Sequence, residues 1–250
     1  MKTKILFVSF LLCLIFQANA QGLIVTYEES NPGRAPADLS QIPDPQLRAM
    51  IQRQLREANA PRVSQLIVND GISRFQAQET DRGSRDAGVI TTVRRMGIHT
   101  IYKNHSDNLL IARANLGGRT DYFVEKYRTA LEWTIGTERR EISGFQTINA
   151  TTQMPNGHSV IAWFTPDIPI SDGPYLFWGL PGLILYVDVD NGRRIFSATA
   201  VQHTNDLAEI QIPDGERISN AEFEELSRES MQRLREGGEG EGVVIRTTTM

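Results

Sequence analysis

The feature that most constrains this chain is the rhythm of short β-type runs and tight turns between Val63 and Val201. Ser64 to Val68 and Ser73 to Gln78 flank Asn69-Asp70-Gly71, a hairpin signal because Asp and Gly tolerate the positive φ of a two-residue turn. Val89 to Arg95, Thr100 to Asn104, Asn108 to Ala114 and Asp121 to Lys126 read as further strands, with Glu79 to Gly88 as a polar loop. Glu132 to Ile135, Phe145 to Thr152 and Ser159 to Phe164 continue the series, the last two separated by Pro155-Asn156-Gly157. Leu183 to Asp190 and Arg193 to Val201 are joined by Asn191-Gly192, which favours a type I′ turn. Strands this short and closely connected predict antiparallel pairing, because parallel strands need long crossovers. The expected fold class is mainly β (α+β): a curved antiparallel sheet or half-barrel with one or two amphipathic helices packed on it.

Outside that series, Gly22 to Glu28 reads as a first strand and Asn31 to Ala37 as a Pro/Gly loop. Asp44 is suited to cap a helix and Pro45 to open it. Leu47, Met50, Ile51, Leu55 and Ala58 share one face of that helix, and Pro61 stops it. The expectation is that this face packs on the sheet. A membrane-surface role is the weaker reading, since its polar face (Arg48, Arg53, Arg56, Glu57) is not strongly basic. Ser219-Asn220-Ala221-Glu222 is a capping box for a second helix, whose stripe is Phe223, Leu226, Met231 and Leu234 and whose stop is Gly237-Gly238.

The densest stretch runs from Ala162 to Ile184. Pro166, Pro169 and Pro174 remove backbone donors, so the middle of it is an ordered excursion between two strands rather than a strand. Trp163, Phe164, Tyr175, Phe177 and Trp178 are too many aromatics to leave in water. They seal the core from one end or line a binding surface, and sealing is favoured. Gly179-Leu180-Pro181-Gly182-Leu183-Ile184 closes the excursion. A phosphate-cradling loop would need a helix after the glycines, whereas here a strand follows and Pro181 lacks a donor. A tight turn in close backbone contact with the sheet is the better reading.

These residues resemble the GLPGLI family of exported proteins of unknown function found in Bacteroidota. The resemblance is strongest from Leu131 to Asn191. It rests on Trp133, Ile135, Ile142 and Gly144, the stretch Ala162 to Pro169, the Gly173-Pro174 turn and the full hexapeptide Gly179 to Ile184; Gly22 to Glu28 also fits. It implies export but no activity, because the family has no established one. Many members carry a cysteine shortly after the position of Gly144, where this chain has Phe145, Gln146 and Thr147. A thiol-dependent role in relatives would therefore not transfer.

Residues 1–20 have the pattern of a cleavable signal peptide: Lys2 and Lys4, the apolar run Ile5 to Phe16, then Ala18-Asn19-Ala20 before an expected mature start at Gln21. That run is too short to be a permanent span, and no other stretch approaches spanning length. Cys13 is the only cysteine and lies within the signal, with Leu11 and Leu12 where a lipoprotein would need small residues. The expected mature chain thus has no thiol for disulfides, zinc or nucleophilic catalysis. Loss of Lys2 and Lys4 moves the formal charge from −4 to −6, and scattered arginines form no basic patch, which argues against nucleic acid. The expected organisation is one β-rich domain over residues 21–236, then a flexible Gly/Glu linker and tail over 237–250.

No catalytic, metal or cofactor site is assigned. His99 and His105 could meet across a hairpin near Asp107, a weak metal hypothesis. His158 and His203 add no ligand pattern. Asp167 and Asp172 flank the proline-rich excursion, where Asp beside Pro or Gly is more often a turn former than a paired acid and base. Asp188 and Asp190 are expected on one solvated strand face. Two functional readings stay open for a protein of the periplasm, outer envelope or exterior. One is a binding or carrier module for lipid or another apolar ligand, by analogy of architecture with half-barrel carriers. The other is a structural or assembly protein of the cell envelope, with protein partners and a tail able to add a strand to a neighbour.

Overall fold

The computed structural model describes residues 22–32, 39–40, 42–58, 60–78, 97–116, 120–127 and 131–237. The signal peptide expected over residues 1–20, with Cys13, the loop expected over Glu79 to Gly88, the strand expected over Val89 to Arg95 and all but the first residue of the tail expected over 237–250 lie outside them.

Two meanders share one sheet. The first runs through β1 (Gly22–Ser30), β2 (Arg62–Asn69), β3 (Ile72–Ala77), β4 (Gly97–Asn104), β5 (Leu109–Asn115) and β6 (Asp121–Tyr127). The second runs through β7 (Thr134–Ile142), β8 (Phe145–Gln153), β9 (Ser159–Thr165), β10 (Leu183–Val189) and β11 (Arg194–Thr204). Antiparallel pairing of β1 with β11 welds them, and β12 (Arg217–Ser219) adds to the far side of β6. The order is β12-β6-β5-β4-β3-β2-β1-β11-β10-β9-β8-β7, a mostly β, open sheet. Among the described residues every pairing is antiparallel except β12 with β6, which the sequence did not signal.

Local chemistry explains the turns. Asp70 and Gly71 have φ of 48° and 75°, the two positive values a tight β2–β3 hairpin needs. Ser143 and Gly144 do the same between β7 and β8 at 51° and 83°. The β10–β11 connection differs from the expected two-residue turn. Its last pair is Val189↔Arg194, so four residues form the loop. Asp188 accepts a hydrogen bond from the Gly192 amide (2.6 Å), which widens the turn. Asp190 therefore leaves the strand instead of sharing a face with Asp188. β7 reaches Ile142, well past the expected Ile135. The charged run Glu138 to Glu141 hides its alternation, as does a bulge opposite Asn149.

Register puts the core on one face, called here the inner face. Val25, Leu66, Phe75, Ile101, Ala112 and Val124 are successive cross-strand partners from β1 to β6, and all are buried. Tyr27, Phe75, Phe196 and Phe177 meet edge to face on this side, with centroids about 6 Å apart. The partners of the same face come from residues 166–182, between β9 and β10. Ile168, Phe177 and Leu180 from that excursion belong to the same apolar cluster as the strands.

Helix α1 (Pro45–Ala58) starts as expected, with the Asp44 carboxylate accepting from the Gln46 amide at 2.8 Å. Its packing does not follow the expectation. Leu47 and Met50 are 42% and 49% exposed, and none of the described α1 side chains joins either apolar cluster. The apolar cluster of the inner face takes Ile168, Phe177 and Leu180 from residues 166–182 instead. Helix α2 (Asn220–Gly237) does reach the sheet: Phe223 contacts Tyr122 of β6, and the Ser230 hydroxyl donates to the Leu116 carbonyl. Its capping box closes both ways between Ser219 and Glu222.

Candidate functional site

The row of inner-face residues next to Val25–Val124 contains Leu23, Val68, Ser73, Lys103 and Leu110. Ser73 on β3 and Lys103 on β4 are direct cross-strand partners, so their side chains rise together from the sheet. Both are fully buried. A lysine ammonium in such a place needs a counter-charge. The excursion supplies one: Asp172, also fully buried, lies over the pair. Lys103 Nζ donates to Asp172 Oδ1 at 2.5 Å and to the Gly173 carbonyl at 2.7 Å. The Ser73 hydroxyl donates to Asp172 Oδ2 at 2.5 Å, and the Gly173 amide donates to Oδ1 at 2.7 Å. His105 Nε2 lies 3.0 Å from Oδ2, and its side chain, 23% exposed, is the group that leads from this cluster to solvent.

The electrostatics follow from that geometry. Burial works to raise the Asp172 carboxyl, but the charge of Lys103 and the contacts with His105 outweigh it and hold the group well below the usual carboxylate range. The Tyr27 phenol is pushed well above its ordinary value, first by burial and then by the negative charge of Asp172. Its hydroxyl donates to the Ile184 carbonyl at 2.6 Å, tying β1 to the end of the hexapeptide.

Asp172 bonds the amide of its own neighbour Gly173, as a turn former does, but it is also fully buried. It is the polar centre of the inner face, whereas Asp167 is exposed. The paired histidines separate as well. His105 contacts Asp172, while His99 contacts Thr100 and lies 3.9 Å from Asp121. The described residues contain no group of three side chains able to hold a metal. At the other end of the strands, His158 pairs with Asp190, which also accepts from the Ser159 amide and lies near Arg193.

The aromatic residues fall into two environments. Phe164 and Phe177 are buried in the core. Trp163, 9% exposed, lies under the Arg140 guanidinium at 4.1 Å, and Arg140 also covers Tyr186 at 4.3 Å. Tyr175 is half-buried, stacked on Phe196 and covered by Arg194, which is held by Glu29. Trp178 is half-buried, and its carbonyl accepts from Trp133 Nε1 at 2.8 Å. In the hexapeptide, Gly179 and Pro181 are exposed, while Leu180, Gly182, Leu183 and Ile184 are buried. Gly182 sits so close to β9 that a Cβ there would lie 2.1 Å from the Thr165 carbonyl oxygen. Gly173 is equally restricted, since a Cβ would meet that of Ile184 at 2.7 Å. These contacts press the excursion onto the sheet.

Sequence reasoning missed Lys103 and Ser73. One signal was available: Lys103 is two residues from Ile101 on one strand, so a charge stands in core phase.

Fold and site together define a mostly β protein built on an open sheet, with the segment between β9 and β10 packed on its inner face and tied there by a buried ion pair. Residues 149–186 match the model of a family described as a protein of unknown function (Porph_ging). No curated protein matches the chain. Among solved structures, two of PNGF-II in different space groups are similar, with TM-scores of 0.58 and 0.57 at 15% identity. Each alignment covers 84% of this chain, but only 34% and 33% of the PNGF-II chains. The chain thus spans about a third of the length of these structures. At that identity the similarity is one of fold.

Proposed function

We propose that this chain is an exported structural or assembly module of the cell envelope, acting through protein partners, and that it is of the GLPGLI type. The observation that carries this reading is the occupied inner face. A carrier of an apolar ligand needs a concave apolar surface that the ligand can enter. Here Ile168, Phe177 and Leu180 of the chain's own excursion pack against that surface. Function is then left to outward surfaces and edges, the parts of a sheet protein that other chains recognise. The similar fold in PNGF-II accounts for about a third of a longer chain, which suits a unit that works beside other domains. The family match over residues 149–186 includes the whole hexapeptide, in keeping with the GLPGLI resemblance, and the pattern of residues 1–20 supplies the export signal.

A curved, half-barrel sheet belongs to the same reading. β6 and β7 are ten strand spacings apart, about 48 Å in a flat sheet. The seven residue steps from Tyr127 to Thr134 extend at most about 25 Å. Curling of the sheet brings the two ends within that reach.

The test is native mass spectrometry of protein taken from its own envelope, with in situ cross-linking. A ligand-free mass and a recurrent cross-linked envelope protein are expected. A stoichiometric lipid adduct would overturn the proposal in favour of the carrier.

A further inference from the structure

Lys103 and Asp172 are placed for more than an ion pair. We propose that they condense with each other, forming an intramolecular isopeptide bond between Lys103 Nζ and Asp172 Cγ with release of water. The inference is independent of the envelope role.

The geometry supplies each part of the reaction. The nucleophile is already beside its target, with Nζ 2.5 Å from Oδ1 of the carboxyl it would attack. Holding two groups this way is worth effective molarities of about 10⁵ M or more, enough for a slow bimolecular condensation to run once within one molecule. The Gly173 amide donates to Oδ1 at 2.7 Å, where negative charge gathers when nitrogen adds to Cγ. Ser73 and His105 both contact the other oxygen, Oδ2, at 2.5 Å and 3.0 Å, which makes it the leaving oxygen and gives it a route for protons. Burial of Ser73, Lys103 and Asp172 keeps out the water that would compete with the amine or hydrolyse the product. His105 is the partly exposed member, and the expelled water leaves past it.

Atoms and charges balance. The resting pair is an ammonium with three protons and a carboxylate. Transfer of one proton to Oδ2 creates a neutral amine and a neutral acid. The amine lone pair forms the N–Cγ bond, and Oδ1 takes the negative charge. Nitrogen gives up a second proton, which Oδ2 takes up on the side where Ser73 and His105 contact it. The Cγ–Oδ2 bond breaks, water departs, and the carbonyl re-forms on Oδ1. Nitrogen keeps its third proton as an amide N–H, in reach of the Gly173 carbonyl that Nζ already contacts at 2.7 Å. No redox partner is needed. The ion pair is the resting state and the neutral pair a minor one, but each molecule has to react only once.

The consequence is a covalent tie between β4 and the excursion, 69 residues apart in sequence, in a chain whose single cysteine lies in the signal segment. The bond would do for this fold what a disulfide does elsewhere.

Intact-mass spectrometry of the folded full chain tests the proposal, with tryptic mapping. The expected mass is one water below the sequence mass after signal removal. The water should be lost from a branched peptide in which Lys103 is joined to Asp172 and trypsin no longer cuts after Lys103. Lys103→Met should restore the missing water. His105→Asn, which keeps the ion pair, should slow bond formation roughly 10²-fold in a time course from freshly made protein. The double variant Lys103→Met with Asp172→Leu, which leaves no unpaired charge, provides the unlinked folded control. A cooperatively folded chain that keeps its full mass on long incubation overturns the proposal. So does loss of water mapped to an imide at Asp172-Gly173 with Lys103 free.

Discussion

Substituting Lys103 by Met keeps the volume and removes the charge. The Asp172 carboxylate then stays in a fully buried position without its main counter-charge. Breaking one side of a buried pair costs about 3–5 kcal/mol. The lower end applies, since Oδ1 keeps the Gly173 amide and Oδ2 keeps Ser73 and His105. The single variant should therefore lose about 3 kcal/mol. Adding Asp172→Leu removes the stranded charge, and apolar replacement of a whole buried pair is close to neutral. What remains is the cost of unmade hydrogen bonds at Ser73 and Gly173, about 1 kcal/mol. The double variant should thus be about 2 kcal/mol more stable than Lys103→Met, equivalent to roughly 4–8 °C in Tm for a chain of this size. Urea denaturation of both variants at one pH, with equal m-values, measures the difference. Neither variant can carry the isopeptide bond, so the comparison is unaffected by it. If the double variant proves no more stable than the single one, the reasoning about an uncompensated buried charge is refuted.

Acid should weaken the fold through the same carboxyl where the ion pair persists unlinked. Its folded value is depressed, so its contribution is complete above the unfolded carboxyl value of about 4 and is lost as pH falls toward the folded value. Unfolding free energies measured between pH 5 and pH 2 should fall more steeply in His105→Asn protein, sampled before the bond forms, than in the double variant; equal slopes would contradict this. Gly182→Ala drives a Cβ to 2.1 Å from a backbone oxygen that cannot swing away, and should cost about 3 kcal/mol in denaturant titrations. Tyr27→Phe leaves the Ile184 carbonyl without its donor at a fully buried position, an expected loss of about 2 kcal/mol, checked the same way.

The β-rich class, most strand positions, both helix starts and the proline-rich excursion were legible because their causes are local. Asp70-Gly71 bends a hairpin wherever it stands, Pro166, Pro169 and Pro174 interrupt a strand in any context, and Ser219 and Glu222 cap a helix from within four residues. The hidden parts depend on partners far along the chain. The Leu47 and Met50 face of α1 has the spacing of a packed helix, yet both stay exposed, and it is Ile168, Phe177 and Leu180 that pack on the sheet. The parallel β12 has no signal in three residues whose only reason to be extended is the edge of β6. Lys103 alone announces a charge in core phase, yet nothing near it names Asp172. That pairing exists because register sets Lys103 opposite Ser73 and the excursion then lays Asp172 across both. By itself the sequence determined most of the elements and the corner at Gly179 to Ile184. Tertiary structure decided what fills the inner face and which charges meet there, because burial and long-range contact depend on every strand being in place.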